Sequence, residues 1–170
     1  METEPTNVEI AGGFEWCVAG GWAACPQLVQ DQDVWIMVES DTMMGIRANI
    51  LSANPSIVPE GDGDFEPETY GDLGIFVVKV GRIGDRHILL TTAKDIQSIL
   101  DSFDISTHQC ALSSNLEFVR GKNWTPLTVE PVKLRETPTT EDRFIKIRDR
   151  YAPFRTDGTQ PATEDGKENL

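Results

Sequence analysis

The chain has 170 residues, 39% of them hydrophobic, with 3 cysteines in no Cys-x-x-Cys spacing. That composition fits one domain able to bury its own core and excludes a disulfide frame or a cysteine zinc site. The formal net charge of −13 disfavours sequence-independent binding to an extended nucleic-acid backbone, which is itself a polyanion.

No apolar run reaches the roughly 18 residues that a membrane helix needs. The acidic start Met1-Glu2-Thr3-Glu4-Pro5 is unlike a signal peptide. The expectation is a cytoplasmic protein with no membrane partner and with reduced thiols at Cys17, Cys25 and Cys110. The charge is unevenly spread. Residues 1–119 hold 5 Lys/Arg against 19 Asp/Glu, whereas residues 120–155 hold 9 against 5. That basic tract suits a triphosphate or a short stretch of nucleic acid, and equally an ordinary amphipathic surface.

In chain order, Phe14 to Ala19 reads as a first strand, rich in aromatic and β-branched residues. Gly20-Gly21 lets the backbone turn sharply and approach a ligand, because no Cβ blocks either move. A short helix follows and is limited by Pro26. The second strand runs from Asp33 to Glu39, and its apolar run Val34 to Val38 suits a strand buried on both faces. Asp31 and Asp33 open it, two residues apart and therefore on one side. Ser40-Asp41-Thr42 is a cluster of N-cap residues before a helix of about a dozen residues, with Met43, Ile46, Ile50 and Leu51 inward. Residues 55–72, rich in proline, glycine and acidic side chains, read as a connector or a lid.

A hairpin follows: Leu73 to Val80, a turn at Gly81 to Asp85, then Arg86 to Thr92. Ala93 to Phe103 reads as a helix with Ile96, Ile99 and Leu100 on its inner face. Phe103 to Leu112 reads as a strand with Asp104 at its start, putting Asp104, Ser106, His108 and Cys110 on one face. A turn at Ser113 to Asn115 leads to Leu116–Val119, and an irregular stretch runs to Pro138. Thr139-Thr140-Glu141-Asp142 caps a final helix to Tyr151 that concentrates Arg143, Lys146, Arg148 and Arg150. Residues 1–154 are expected to form the domain and 155–170 a disordered acidic tail.

Two carboxylates on one strand edge, facing a glycine turn, suit hard divalent cations and the phosphates they carry. The competing reading is a solvated loop end in an acid-rich chain. If the later strand lies beside the second one, Asp104 completes a trio. His108 either touches substrate or is satisfied by protein neighbours, as buried polar groups usually are. Trp16, Trp22, Trp35 and Trp124 could each stack a base, but Trp16 and Trp35 read as core, and Trp22, beside the glycines, is the one that stands out.

This pattern resembles the nucleotidyltransferase superfamily typified by DNA polymerase beta, and most closely the small nucleotidyltransferase-like proteins of phages and large viruses. The matching elements are Gly20-Gly21 leading a helix, Asp31-x-Asp33 opening the next strand, Asp104 opening a later one, and the basic helix from Thr140 to Tyr151. The resemblance spans roughly residues 14–152. It implies an α/β (α+β) fold with a mixed central sheet flanked by helices, and a cytoplasmic setting, the host's if the chain is viral.

It further implies two Mg²⁺ (or Mn²⁺) ions on Asp31, Asp33 and Asp104 as metal-binding and catalytic residues, and a nucleoside triphosphate as donor. Gly20, Gly21, Trp22, Arg143 and Lys146 would be the nucleotide-binding residues, with the Gly20 and Gly21 amides meeting the phosphates. The acceptor is left open between RNA, protein and a small molecule. The chain departs from the pattern at its second glycine, often serine, at Trp22, and in having no Lys or Arg over residues 22–30. The leading expectation is nucleotidyl transfer. The alternatives are a catalytically inactive relative that binds or regulates, and a small acidic α+β interaction domain whose three aspartates never meet.

Overall fold

The computed structural model describes residues 4–61 and 74–155. The elements are α1 (Asn7–Ala11), β1 (Trp16–Ala19), α2 (Gly21–Ala24), β2 (Gln32–Met37), α3 (Met43–Ala53), β3 (Val58–Pro59), β4 (Val77–Ile83), β5 (Arg86–Thr91), α4 (Ile96–Asp101), β6 (Cys110–Ser113), β7 (Phe118–Arg120) and α5 (Thr140–Tyr151). Short 3₁₀ turns occupy Ser106–His108 and Ala152–Phe154. Among the described residues the strands form one seven-stranded mixed sheet in the order β3-β4-β5-β2-β1-β6-β7, so the fold is α+β as the sequence implies. No described helix is long and apolar enough to cross a membrane.

The apolar run in β2 explains the layering. Val34, Ile36 and Val38 pack on one side with Ile10, Met43, Ile50, Ile88 and Leu90, under α1 and α3. Trp35 and Met37 pack on the other with Leu89, Ile99, Leu100 and Ala111, under α4. A strand alternates its side chains between faces, so a continuous apolar run is what a twice-covered central strand requires. Tyr151 and Ile147 of α5 close a third cluster with Cys25 and Ile105.

Topology gathers the chemistry at one end of the sheet. β1 is antiparallel to both β2 and β6, β2 is parallel to β5, and β5 is antiparallel to β4. The C-terminal ends of β1 and β4 therefore meet the N-terminal ends of β2, β5 and β6 along one edge.

Several expectations are corrected. The stretch from Phe103 to Leu112 is not one strand. Ser106–His108 is a 3₁₀ turn, only Cys110–Ser113 is strand, and it pairs with β1 and β7 rather than beside β2. The shared face of Asp104, Ser106, His108 and Cys110 goes with it. The cause is local: Ser106 Oγ accepts from the Val132 amide (2.8 Å) and sits 2.7 Å from Thr125 Oγ1, while Gln109 Oε1 accepts from the Asn123 amide (2.8 Å). Side-chain bonds to neighbouring backbone compete with a strand ladder.

The hairpin turn is only Gly84-Asp85, because Gly81 to Ile83 remain in β4 past an irregularity between Lys79 and Gly81. The expected threonine caps also fail as side-chain caps. Thr42 precedes α3 but its hydroxyl donates to the Glu39 carbonyl, and Thr139 precedes α5 without a side-chain bond to it.

The expected lid over residues 55–72 lies mostly outside the described residues; its described part contains β3. The expected tail lies outside them too except for Arg155, which is buried and donates to the Arg148 carbonyl at 2.8 Å.

Candidate active site

A cavity of about 300 Å³ opens at the shared edge of the sheet. Its wall includes Gly20, Gly21, Asp31, Asp33, Asp104 and Arg143, all singled out in the sequence, and also Arg82, His87, His108 and Arg150. Two expected nucleotide contacts are elsewhere. Lys146 is exposed on α5 and is not part of this wall, and Trp22 packs against the core under α1 and α3. Arg150, on the same helix, takes the place expected of Lys146.

The glycine turn forms as its residues demand. Gly20 has φ +99°, a conformation closed to most side chains. At Gly21 a Cβ would stand 3.1 Å from His108 Cε1 and 3.3 Å from Val29 Cγ1, so the absent side chain leaves room for His108. One expectation fails here: the Gly20 amide donates to the Cys110 carbonyl at 2.9 Å, so it is committed to the β1–β6 seam and not offered to a phosphate.

The sheet wall is a cross-strand row. Asp33 of β2 stands in register with His87 of β5, which stands in register with Arg82 of β4. His87 Nδ1 is 3.6 Å from Asp33 Oδ1, and Arg82 Nη1 is 3.5 Å from Asp31 Oδ1. His87 Nε2 is 3.2 Å from Arg82 Nη2 and 2.6 Å from Glu60 Oε1; the latter is a charge contact rather than a directed hydrogen bond. Burial pushes the Asp33 carboxyl above its usual range and the Asp31 carboxylate adds to the rise, while His87 and Arg143 oppose it.

The helix wall is built differently. Asp104 is 3% exposed. Its Oδ2 accepts from Thr140 Oγ1 at 2.8 Å, and its Oδ1 lies 3.5 Å from Arg143 Nη2, an ion pair without a hydrogen bond. Its own carbonyl accepts from the Leu134 amide at 2.7 Å. Thr140 Oγ1 in turn accepts from the Thr137 amide at 2.8 Å. Arg143, on the first turn of α5, thus acts on both Asp33 and Asp104. Beside it, His108 Nε2 is 3.0 Å from the Tyr151 hydroxyl. Burial, with Arg143 and Arg150 nearby, lowers the His108 pKa from 6.5 to about 3, so its imidazole is neutral. His108 is therefore both satisfied by a protein neighbour and part of the cavity wall.

The cysteines behave as packing residues. All three are buried and free, and burial lifts Cys17 and Cys110 to about 12, which leaves them as thiols.

Two features fit a cation in this cavity. Asp31 and Asp33 repel one another at one strand end, and Asp104 Oδ1 is a buried carboxylate oxygen without a hydrogen bond. As the side chains stand, however, no group of three or more His, Cys, Asp or Glu among the described residues is gathered tightly enough to hold a metal. Arginines and His87 lie against the carboxylates instead.

No family model matches the chain, and no curated protein does. Among solved structures it resembles a tRNA-processing enzyme complex 3, at 17% identity and a TM-score of 0.41 over 68% of this chain and 31% of that one. It also resembles a tRNA-processing enzyme in apo form I, at 15% identity and a TM-score of 0.41 over 90% of this chain and 43% of the other. The chain spans less than half the length of either.

Proposed function

We propose that the cavity is the site of a metal-dependent nucleotidyltransferase, which moves a nucleotidyl group from a nucleoside triphosphate to a hydroxyl of an RNA, a protein or a small molecule. One observation carries the reading: Asp31 and Asp33 at one strand start, and Asp104 from about 70 residues later, line the same cavity as the Gly20-Gly21 turn and Arg143.

Asp31 and Asp33 would hold Mg²⁺ or Mn²⁺, which would offset the burial and the smaller Asp31 repulsion that lift Asp33. When bound, such ions supply charge neutralisation for an in-line displacement at phosphorus. Asp104 Oδ1 is the remaining donor, and Arg143 is the group that stands against it. A polyphosphate offers Arg143 a stronger, multiply charged partner, so nucleotide entry would draw the guanidinium away and open Asp104 to a cation. Gly21 makes room for His108 in the cavity wall, and that neutral imidazole adds no charge to repel a metal.

A second reading has its own observation. Each carboxylate already faces a cationic or ionisable protein group, Arg82, His87 or Arg143, which is how a non-catalytic relative would neutralise a metal site it no longer uses.

The test is Asp33→Asn, read by calorimetric titration of Mg²⁺ with each nucleoside triphosphate. The variant should lose metal-dependent nucleotide binding while its melting temperature in EDTA stays equal or rises, because a carboxylate that burial disfavours has been removed. Unchanged nucleotide affinity would remove Asp33 from the metal site.

A further inference from the structure

The basic tract is only partly used by the cavity. Arg143 and Arg150 line it, but Arg120 and Lys122 project elsewhere. Arg120 ends the edge strand β7, where its guanidinium carbon lies 5.0 Å from the Trp124 ring centroid and 5.9 Å from that of Phe118. The two rings meet edge to face at 5.8 Å and 75°. Phe118 is 45% exposed and Trp124 is half-buried, so the two rings and the guanidinium make one surface patch that is both apolar and cationic. Lys122 is exposed beside this group and is held only loosely, 4.0 Å from Asp101.

The group is also rigidly mounted. The Gly121 amide donates to the Gln109 carbonyl at 2.8 Å, the Asn123 amide to Gln109 Oε1 at 2.8 Å, and the Thr125 amide to the Ser106 carbonyl at 3.3 Å. The loop under Trp124 is thus pinned to the Ser106–His108 turn, whose His108 lines the cavity. Cys110, which begins β6 and bonds the Gly20 amide, stands in register with Arg120.

An exposed cation held against two aromatic rings, with an exposed lysine beside it, is the chemistry that takes a base on a flat face and its phosphate on a charge. The occupant that fits is a single strand, since paired bases hide their faces. With a net charge of −13 on the whole chain, contact is confined to a few nucleotides at this patch. We propose that Phe118, Arg120, Lys122 and Trp124 form a binding platform for single-stranded nucleic acid, which delivers the acceptor strand to the cavity. The delivery role rests on the transferase reading; binding itself does not.

The experiment uses the full chain and fluorescein-labelled 12-mers of RNA and of DNA, read by anisotropy at low salt without nucleotide or metal. The expected result is saturable binding that weakens as salt rises, with about tenfold loss in Trp124→Ala and a shallower salt dependence in Arg120→Gln. Arg120 is exposed, so Arg120→Gln keeps the test valid if Trp124→Ala disturbs folding. Tighter binding of RNA than DNA names RNA as the strand, and the reverse names DNA.

No saturation with either oligonucleotide up to about 100 µM, the weak end of non-specific binding, would overturn the proposal. So would binding left intact by both platform variants. Platform-dependent binding without any nucleotide-plus-metal response would uphold the platform and reject the transferase reading; the converse would reject the platform alone.

Discussion

The two walls of the cavity carry the same kinds of charge in opposite settings. On the sheet wall, Asp31, Asp33, His87 and Arg82 form a row across three strands, with side chains that reach solvent and contacts of 3.2–3.6 Å within the row. On the helix wall, Asp104 is almost wholly buried and hydrogen-bonded to Thr140, itself 0% exposed. Exposed ion pairs contribute little to stability because water screens them and ordering two long side chains is costly. A buried carboxylate that loses its partners, or partners that lose their carboxylate, bears the desolvation cost in full. The first wall is free to exchange its partners for a ligand, whereas on the second the buried Asp104–Thr140 bond anchors α5 and only the half-exposed Arg143 guanidinium is free to exchange.

The comparison breaks most directly at Asp104. Asp104→Ala leaves the buried Thr140 hydroxyl without its acceptor and Arg143 without its counter-ion. The expected loss is about 2 kcal/mol of unfolding free energy in urea, with Asp104→Asn losing less. A loss below about 0.5 kcal/mol, the range of ordinary surface changes, would make the two walls equivalent.

His108 sharpens the same wall through pH. Its pKa is about 3 in the folded chain against an ordinary 6.5. Above pH 6.5 it is neutral in both states and contributes no pH dependence. Between 6.5 and about 3 the unfolded chain takes up a proton that the folded chain does not, so stability falls on acidification by up to ~1.4 kcal/mol per pH unit. The window to read is pH 6.5 to 5, where the difference between the variant and the wild type isolates His108 from the raised Asp33 carboxyl, common to both. There His108→Gln, which keeps a polar atom for Tyr151, should show a flatter curve than the wild type. Parallel curves would place the imidazole in water. The smallest effect belongs to the sheet wall: Arg82→Gln should change unfolding free energy by no more than about 0.5 kcal/mol, and a larger loss would show that the row is structural.

The walls also differ in how far the sequence revealed them. Gly20-Gly21 and Asp31-x-Asp33 were legible because their spacing acts locally: φ freedom at a turn, and a two-residue period at a strand start. The core run in β2 was legible for the same reason. His87 and Arg82 were missed because they join Asp33 only through the parallel β2–β5 pairing and the β4–β5 register. Such pairing is long-range, and no local pattern encodes it. The one available signal was that Arg82 and His87 flank the tight turn Gly84-Asp85.

Asp104 was placed in the site on the wrong scaffold. Ser106, Thr107, His108 and Gln109 are four polar residues in a row, which a two-residue strand period would put partly in solvent, yet all four are buried. The Ser106 and Gln109 side chains hold the loop of residues 121–132 through the Val132 and Asn123 amides and the Thr125 hydroxyl, while His108 pairs with Tyr151. Charge density points to Arg143 and Lys146 only as members of a basic tract, and the packing of α5, with Ile147 and Tyr151 inward, decides which of its cations reach the cavity.

The most direct measurement is a thermal-shift series on the wild-type chain with ATP, GTP, CTP and UTP, each with and without Mg²⁺ or Mn²⁺. The central claim is that nucleotide and metal together displace Arg143 and join the two walls. It predicts a rise in melting temperature that requires both components, neither alone giving it. A panel with no shift for any pair, or a nucleotide shift indifferent to metal, would contradict it.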